Sequence, residues 1–207
     1  MSFDNYRNSD PGDKYDPFKW DFDESKLKTY KINGYIYKLR PESDNNKLKL
    51  LIDIRDKINK VSNYIHNNMN KFDSETHNGL KLFVRIHGEV PTTDVKNPFK
   101  EHWMINNGIT SHSMYHEIPK NTGFWGLNKP KNRHINNNVP YIGKDKNLRP
   151  GWREVFLELD RSKQDIIDLV IHEISHTAAN HSRWRNDDHG KDFQMYEKII
   201  KNVWNST

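Results

Sequence analysis

The chain has 207 residues, of which 33% are hydrophobic and 29% charged, and its formal net charge is +5. This length suffices for one well-packed domain with little left over for a second, and the absence of cysteine excludes disulfides, thiolate metal ligands and cysteine nucleophiles. The sequence has neither an apolar N-terminal leader nor a run of about 18 apolar residues, so we expect a soluble, intracellular protein, cytoplasmic or nuclear, with no membrane partner.

Charge is unevenly distributed along the chain. Residues 1–24 hold seven acidic and three basic residues, so their charge is −4 and that of the remaining chain is +9. Residues 1–25 are rich in Asp, Asn, Pro and Gly and lack helical or strand periodicity, so we expect a disordered acidic tail. Residues 26–207 are then expected to form a single folded domain.

Three elements are predicted in the first half of the chain. Residues 29–39, TYKINGYIYKL, predict a β-hairpin, because the central Asn-Gly pair supplies the positive φ angles of a two-residue turn. From Asn45 to Met69 the apolar residues recur three and four positions apart, which predicts a helix with one buried face. Residues 80–86, LKLFVRI, are a short apolar run and predict a buried strand.

The second half contains one long segment without clear periodicity, followed by three clearer elements. Pro, Gly and Asn interrupt every apolar run in residues 88–151, but structureless loops of that length are rare in compact domains, so we expect short strands there. Residues 153–160, REVFLELD, predict a further strand. Ser162 and Asp165 have the spacing of a capping box, which opens a helix that is apolar on most sides and therefore central. A last helix with one apolar face is predicted over about Gly190–Trp204.

The central helix contains the pattern H-E-x-x-H. His172 and His176 are one helical turn apart, so both rings point the same way and could take two corners of a tetrahedral zinc site. Glu173 then lies beside the metal, where a carboxylate can act as general base on a zinc-bound water. The other explanation is a pair of solvated or backbone-bonded histidines, but burying them in so apolar a helix would be costly without a metal.

The third ligand could be His181 or His189. At about 100° per residue, His181 lies roughly 180° around the helix from His172, so its ring faces away unless the helix breaks first. His189 follows a polar loop, Gly190 permits a close approach of the backbone, and Phe193 could anchor the next helix in the core. We therefore prefer His189 and keep His181 as either a contact to the site or a solvated side chain.

The stretch HEISH followed by DHGKDF resembles the SprT-like (Spartan) and WLM zinc metallopeptidases, with the specific part covering about residues 153–193. The resemblance implies His172, His176 and His189 as zinc ligands and Glu173 as the catalytic base. It also implies an α+β fold, a compact zincin-like (minigluzincin) domain in which a small antiparallel sheet packs on the active-site helix, with further helices flanking it.

The same resemblance implies one catalytic Zn2+ ion and an endopeptidase, which uses a zinc-activated water and a glutamate base to hydrolyse peptide bonds. We expect a protein or peptide substrate, with DNA-associated or DNA-crosslinked proteins as candidates, and a monomer. Residues 155–160, VFLELD, resemble the edge strand before the active-site helix and could pair with an extended substrate. The family's cysteine-based zinc segment is absent, since the chain has no cysteine.

Further roles are open at the level of sequence. Asp188 or Asp192 could orient His189, and Tyr196 or Arg153 could stabilise the oxyanion. The pair His112 and His116 also has ligand spacing, but Ser113 stands where H-E-x-x-H has its glutamate, so we regard the pair as incidental.

An alternative function is a non-proteolytic module with structural zinc that binds nucleic acid or a protein partner. Residues 120–154 favour it, because basic side chains there alternate with aromatic ones, as in proteins that bind single-stranded nucleic acid. The basic residues are Lys120, Lys129, Lys131, Arg133, Lys144, Lys146, Arg149 and Arg153. The aromatic residues are Phe124, Trp125, Tyr141 and Trp152, which could equally build the core of an irregular region.

Overall fold

The computed structural model describes residues 23–32, 35–88, 113–120, 125–130, 153–179 and 189–207. Its helices and strands form a mixed α+β fold, as predicted from the sequence. The predicted acidic tail lies almost wholly outside these ranges, and its described end forms a short 3-10 helix at Glu24–Lys26. None of the described helices is both long and apolar enough to cross a membrane.

The predicted hairpin is confirmed by two antiparallel strands. Strand β1 (Lys28–Ile32) pairs with β2 (Tyr35–Leu39), and Ile32 stands opposite Tyr35 across the turn. The Asn-Gly pair itself lies outside the described residues. Alternate residues of β2 are buried, as expected for a strand with one face on the core.

Helix α1 (Asn45–Asn67) confirms the first predicted helix, although it ends before Met69, which begins a 3-10 turn. It begins where the side chain of Asp44 accepts a hydrogen bond from the backbone N–H of Lys47, the usual N-cap arrangement. Its apolar stripe is buried as the periodicity predicted, and comprises Leu51, Ile54, Ile58, Val61 and Ile65.

The prediction of a strand at residues 80–86 was wrong. This segment forms helix α2 (His77–His87). Its apolar residues are buried, namely Leu80, Leu82, Phe83, Val84 and Ile86. The polar residues Asn78, Lys81 and Arg85 recur three and four positions apart, which is the period of a helix. The strand interpretation considered only residues 80–86, and a run of that length is too short to separate a helix from a strand.

Three short strands form a mixed sheet in the order β3-β5-β4: β3 (Ser113–Glu117), β4 (Gly126–Pro130) and β5 (Arg153–Leu157). Strand β5 runs parallel to β3 and antiparallel to β4, so the expectation of an antiparallel sheet was wrong in part. Strands β3 and β4 confirm that short strands lie within residues 88–151. Strand β5 confirms the predicted strand but occupies the centre of the sheet, with both edges paired, so it cannot receive a substrate by strand addition.

Helix α3 (Lys163–Ala178) lies at the centre of the molecule, as predicted, against α2, β4, β5 and the last helix, α4 (Lys191–Ser206). Ser162 caps α3 by accepting a hydrogen bond from the backbone N–H of Asp165 at 3.2 Å. The apolar face of α4 is buried as predicted, with Phe193, Tyr196, Ile200 and Val203 in the interior.

Two features show how closely α3 is held by its neighbours. A Cβ atom on Gly79 of α2 would overlap the carbonyl oxygen of Ala178 and the ring of Tyr196, so the three helices meet at this glycine. The buried ring of His87 lies between Tyr115 Oη, 2.5 Å from Nδ1, and Thr177 Oγ1, 2.8 Å from Nε2. This chain of hydrogen bonds joins α2, β3 and α3 through the interior.

Candidate metal centre

The rings of His172, His176 and His189 converge at the end of α3 and the start of α4. The Nε2 atom of His172 lies 3.3 Å from Nε2 of His176 and 3.2 Å from Nε2 of His189. One nitrogen from each residue lies within 4.8 Å of those of the other two, and no other group of this kind occurs in the described parts of the chain. The structure thus brings together the three histidines predicted from the sequence.

The spacing of these nitrogens suits a tetrahedral ion. With metal–nitrogen bonds of about 2.0–2.1 Å, as zinc has, two ligand nitrogens lie about 3.3 Å apart along the edge of the tetrahedron. The Nε2 separations around His172 match that edge. Because His176 and His189 are only partly buried, the centre reaches the surface, which a site that admits a substrate requires.

The ring of Phe193 packs against all three histidine rings. Its ring centroid lies 5.0 Å from that of His172, 4.6 Å from that of His176 and 4.9 Å from that of His189. Phe193 is almost completely buried and follows His189 by one helical turn, so it fixes the start of α4 against α3. This confirms the expectation that Phe193 anchors the helix that carries the third ligand.

Glu173 is buried, with 4% of its surface exposed, and lies against the first residue of β4. A Cβ on Gly126 would overlap Glu173 Oε1 and would approach the carboxyl carbon to 2.9 Å. The glycine therefore provides the space in which this carboxylate lies. The function of Gly126 is steric, because its lack of a side chain allows β4 to lie close to the carboxylate of Glu173.

Glu197 is a member of the site that was not predicted from the sequence. Its Oε1 lies 3.3 Å from Nδ1 of His172, on the side of the ring opposite the cluster. A signal was present, because His189, Phe193 and Glu197 are spaced four residues apart and so lie along one face at the start of α4. Only the crossing of α3 and α4 shows that this face meets His172.

Several secondary expectations are corrected or lie outside the described residues. The hydroxyl of Tyr196 donates a hydrogen bond to the backbone oxygen of Thr76 at 3.4 Å, and burial raises the pKa of this hydroxyl. Tyr196 therefore contributes to the contact between α2 and α4 and not to an oxyanion site. Asp192 is exposed on the first turn of α4. His116 is buried, and its Nδ1 accepts a hydrogen bond from the backbone N–H of Lys38 at 2.9 Å. Nothing is described for His112, His181, Asp188 or the side chain of Arg153.

Most of the basic and aromatic stretch at residues 120–154 also lies outside the described ranges. Within them, Lys120 pairs with Glu42 at 2.7 Å, and the guanidinium of Arg161 lies 4.3 Å from the ring centroid of Trp125. These contacts hold the ends of β3 and β4 to neighbouring segments. A role of the stretch in binding nucleic acid stays a prediction.

Comparison of the chain with protein-family models, with curated proteins and with solved structures gave no match.

Proposed function

We propose that the protein is a zinc-dependent endopeptidase whose metal ligands are His172, His176 and His189 and whose general base is Glu173. The observation that carries this proposal is the convergence of the three Nε2 atoms at 3.2 and 3.3 Å around His172. A buried glutamate next to the first histidine on the same helix is what a hydrolytic site needs and a structural zinc site does not.

In this proposal, the three histidines hold the metal and Glu173 transfers the proton. A zinc ion held by the three histidines would polarise the scissile carbonyl and lower the pKa of the attacking water. Glu173 would accept the proton of that water and deliver it to the leaving amine. Its burial beside Gly126 supports this role, because a carboxylate held in a fixed position loses little orientational freedom when it receives the proton.

Substrate recognition is proposed along β4 rather than β5. Strand β5 is hydrogen-bonded on both sides, to β3 and to β4. Gly126 at the start of β4 lies against Glu173, so an extended peptide bound alongside β4 would pass close to the base. Recognition through backbone groups would favour unfolded or flexible protein segments. DNA-associated proteins are proposed as substrates on the family resemblance.

The decisive experiment compares the wild-type protein with Glu173→Gln after loading with zinc. We expect the variant to retain full zinc content and to lose cleavage of an unfolded protein such as casein by at least about 100-fold, since general-base catalysis contributes 10²–10⁴-fold. Asp168→Asn is the matched control, because it neutralises another carboxylate on α3 that pairs with Lys201. Its activity should match the wild type, with and without added DNA.

A zinc-loaded wild type that cuts neither casein nor a DNA-bound protein would refute the peptidase. Equal activity of the wild type and Glu173→Gln would refute the assignment of the base. With zinc bound and no cleavage in either protein, the alternative binding module would account for the metal centre.

A further inference from the structure

We infer that Glu197 is a positioning residue of the metal centre: its carboxylate accepts a hydrogen bond from the Nδ1–H of His172 and thereby holds the Nε2 lone pair of this ring towards the metal. The inference rests on the metal centre of the proposed function but does not require that the protein be a peptidase. It concerns a residue outside the H-E-x-x-H pattern and outside the H-G segment that supplies the third ligand.

The geometry of His172 determines which nitrogen must carry the proton. Its Nε2 faces the nitrogens of His176 and His189, so Nε2 is the metal-binding atom. A neutral imidazole has one N–H and one lone pair, which leaves the proton on Nδ1. Among the described residues, Oε1 of Glu197 lies 3.3 Å from this nitrogen and can accept its hydrogen bond.

His172 occupies the position in the cluster where such a contact has most effect. It is the most buried of the three ligands, with 6% of its surface exposed, and its Nε2 is the atom to which both other nitrogens lie close. A rotation of this ring would therefore disturb both edges of the site. A carboxylate bonded to the distal nitrogen fixes the tautomer and orientation of a ligand histidine and increases its basicity.

Helix α4 carries Glu197 between two further contacts with α3. Phe193, one turn earlier, packs on the ring of His172 at a centroid distance of 5.0 Å and at an interplanar angle of 63°. Lys201, one turn later, pairs with Asp168 of α3 at 2.9 Å. The carboxylate–histidine contact thus lies between an aromatic contact and an ion pair, all three joining the same two helices.

The experiment measures zinc affinity, by competition with a chromophoric chelator, for the wild type, Glu197→Ala, Glu197→Gln and Asp168→Asn. We expect roughly 10- to 100-fold weaker binding for Glu197→Ala, and a smaller loss for Glu197→Gln, whose uncharged amide oxygen still accepts the hydrogen bond from Nδ1–H. Asp168→Asn removes a carboxylate from the same helix pair, so its affinity should stay within about twofold of the wild type. The urea midpoints of the metal-free proteins report any loss of folding separately.

A second readout distinguishes positioning from general packing. In the ¹⁵N spectrum of the histidine rings of the zinc-loaded wild type, His172 should show a protonated Nδ1 and a metal-bound Nε2. In Glu197→Ala the protonated Nδ1 signal should broaden or shift while the signals of His176 stay in place.

Equal affinities for Glu197→Ala and Asp168→Asn would overturn the inference and leave the metal centre standing. If Glu197→Ala does not fold, Glu197→Gln decides by the same comparison. A wild type that binds no zinc would overturn both the inference and the proposed function.

Discussion

At the residue scale, the position of Glu173 depends on Gly126. The glycine is held in the sheet by its pairing with Leu157, while the carboxylate is buried on the rigid helix beneath it. A Cβ at residue 126 would also approach Leu169 Cδ1 to 2.8 Å, so the added atom would meet both the base and the core. Since neither side can move freely, the carboxylate would have to change rotamer.

We therefore predict that Gly126→Ala lowers turnover of a peptide substrate by about 10- to 100-fold, because a displacement of about 1 Å in a reacting group can cost two orders of magnitude. Zinc content should be unchanged, since the three atoms nearest to the added methyl group belong to Glu173 and Leu169 and not to the histidines. Turnover is measured on zinc-loaded protein, with the urea midpoint as the control for sheet formation. A variant as active as the wild type, with the same stability, would show that this glycine does not limit the base.

At the scale of elements, helices whose apolar stripe runs over many turns could be predicted from the sequence, whereas a short helix could not be told from a strand. Helices α1 and α4 carry a long apolar stripe, and their predicted bounds agree with the structure to within a few residues. Helix α2 has only 11 residues, and the apolar run at residues 80–86 contains just two of its polar residues, Lys81 and Arg85. Helix α3 is just as apolar, but it was recognisable from the serine cap at its start.

Strands β3 and β4 and the role of Glu197 could not be predicted either, because each depends on residues distant in sequence. Strands β3 and β4 are held by β5, which lies far away in sequence, so local residue patterns could not locate them. The pairing of His172 with His176 was predictable because helical phase is a local property. Glu197 was not, because its partner His172 lies 25 residues away and on another helix.

A metal bound at this centre would join α3 to α4, since two ligands end one helix and the third precedes the other. We predict that His189→Ala abolishes both stoichiometric zinc binding and the stabilisation by zinc, which is about 2.7 kcal/mol when free zinc is about 100 times its Kd. His181→Ala should retain both. Metal analysis and urea unfolding with and without zinc test this. Loss of zinc in His181→Ala alone would assign the third ligand to His181.

At the scale of the whole molecule, a network of charges ties the hairpin, α1 and the sheet together. Glu117 at the end of β3 is 1% exposed, and it accepts hydrogen bonds from Arg40 Nε at 3.0 Å and Lys47 Nζ at 2.8 Å. Its other oxygen accepts the backbone N–H of Arg40 at 2.8 Å and the hydroxyl of Ser43. Asp160, just before α3, contacts the same two cations. A buried carboxylate with this many donors is fully compensated.

The network predicts a loss of stability in acid. Hydrogen bonds from Lys47 and Arg40 lower the pKa of Asp160, so its carboxylate stabilises the fold above the ordinary Asp value of about 3.9 and ceases to do so as pH falls below it. Asp160→Asn should therefore be less stable than the wild type at about pH 7, and the two should converge as the pH falls through the lowered pKa of Asp160. Because half of the side chain is exposed, the difference at neutral pH should stay below about 1 kcal/mol.

Urea unfolding across this pH range measures the difference, with Asp53→Asn on the exposed side of α1 as the control. If the difference in the free energy of unfolding between the wild type and Asp160→Asn stays the same in acid, the charge of Asp160 is not its cause.

The order of the strands in the sheet also affects how the chain folds while it is being synthesised. The ribosome produces β3 and β4 before β5, yet β5 is the strand to which both of them are hydrogen-bonded. Until residues 153–157 have emerged, the two outer strands expose backbone edges, which in nascent chains favour association with other strands. The three histidines of the candidate metal centre emerge later still, so a metal could bind there only after all the strands of the sheet have been made.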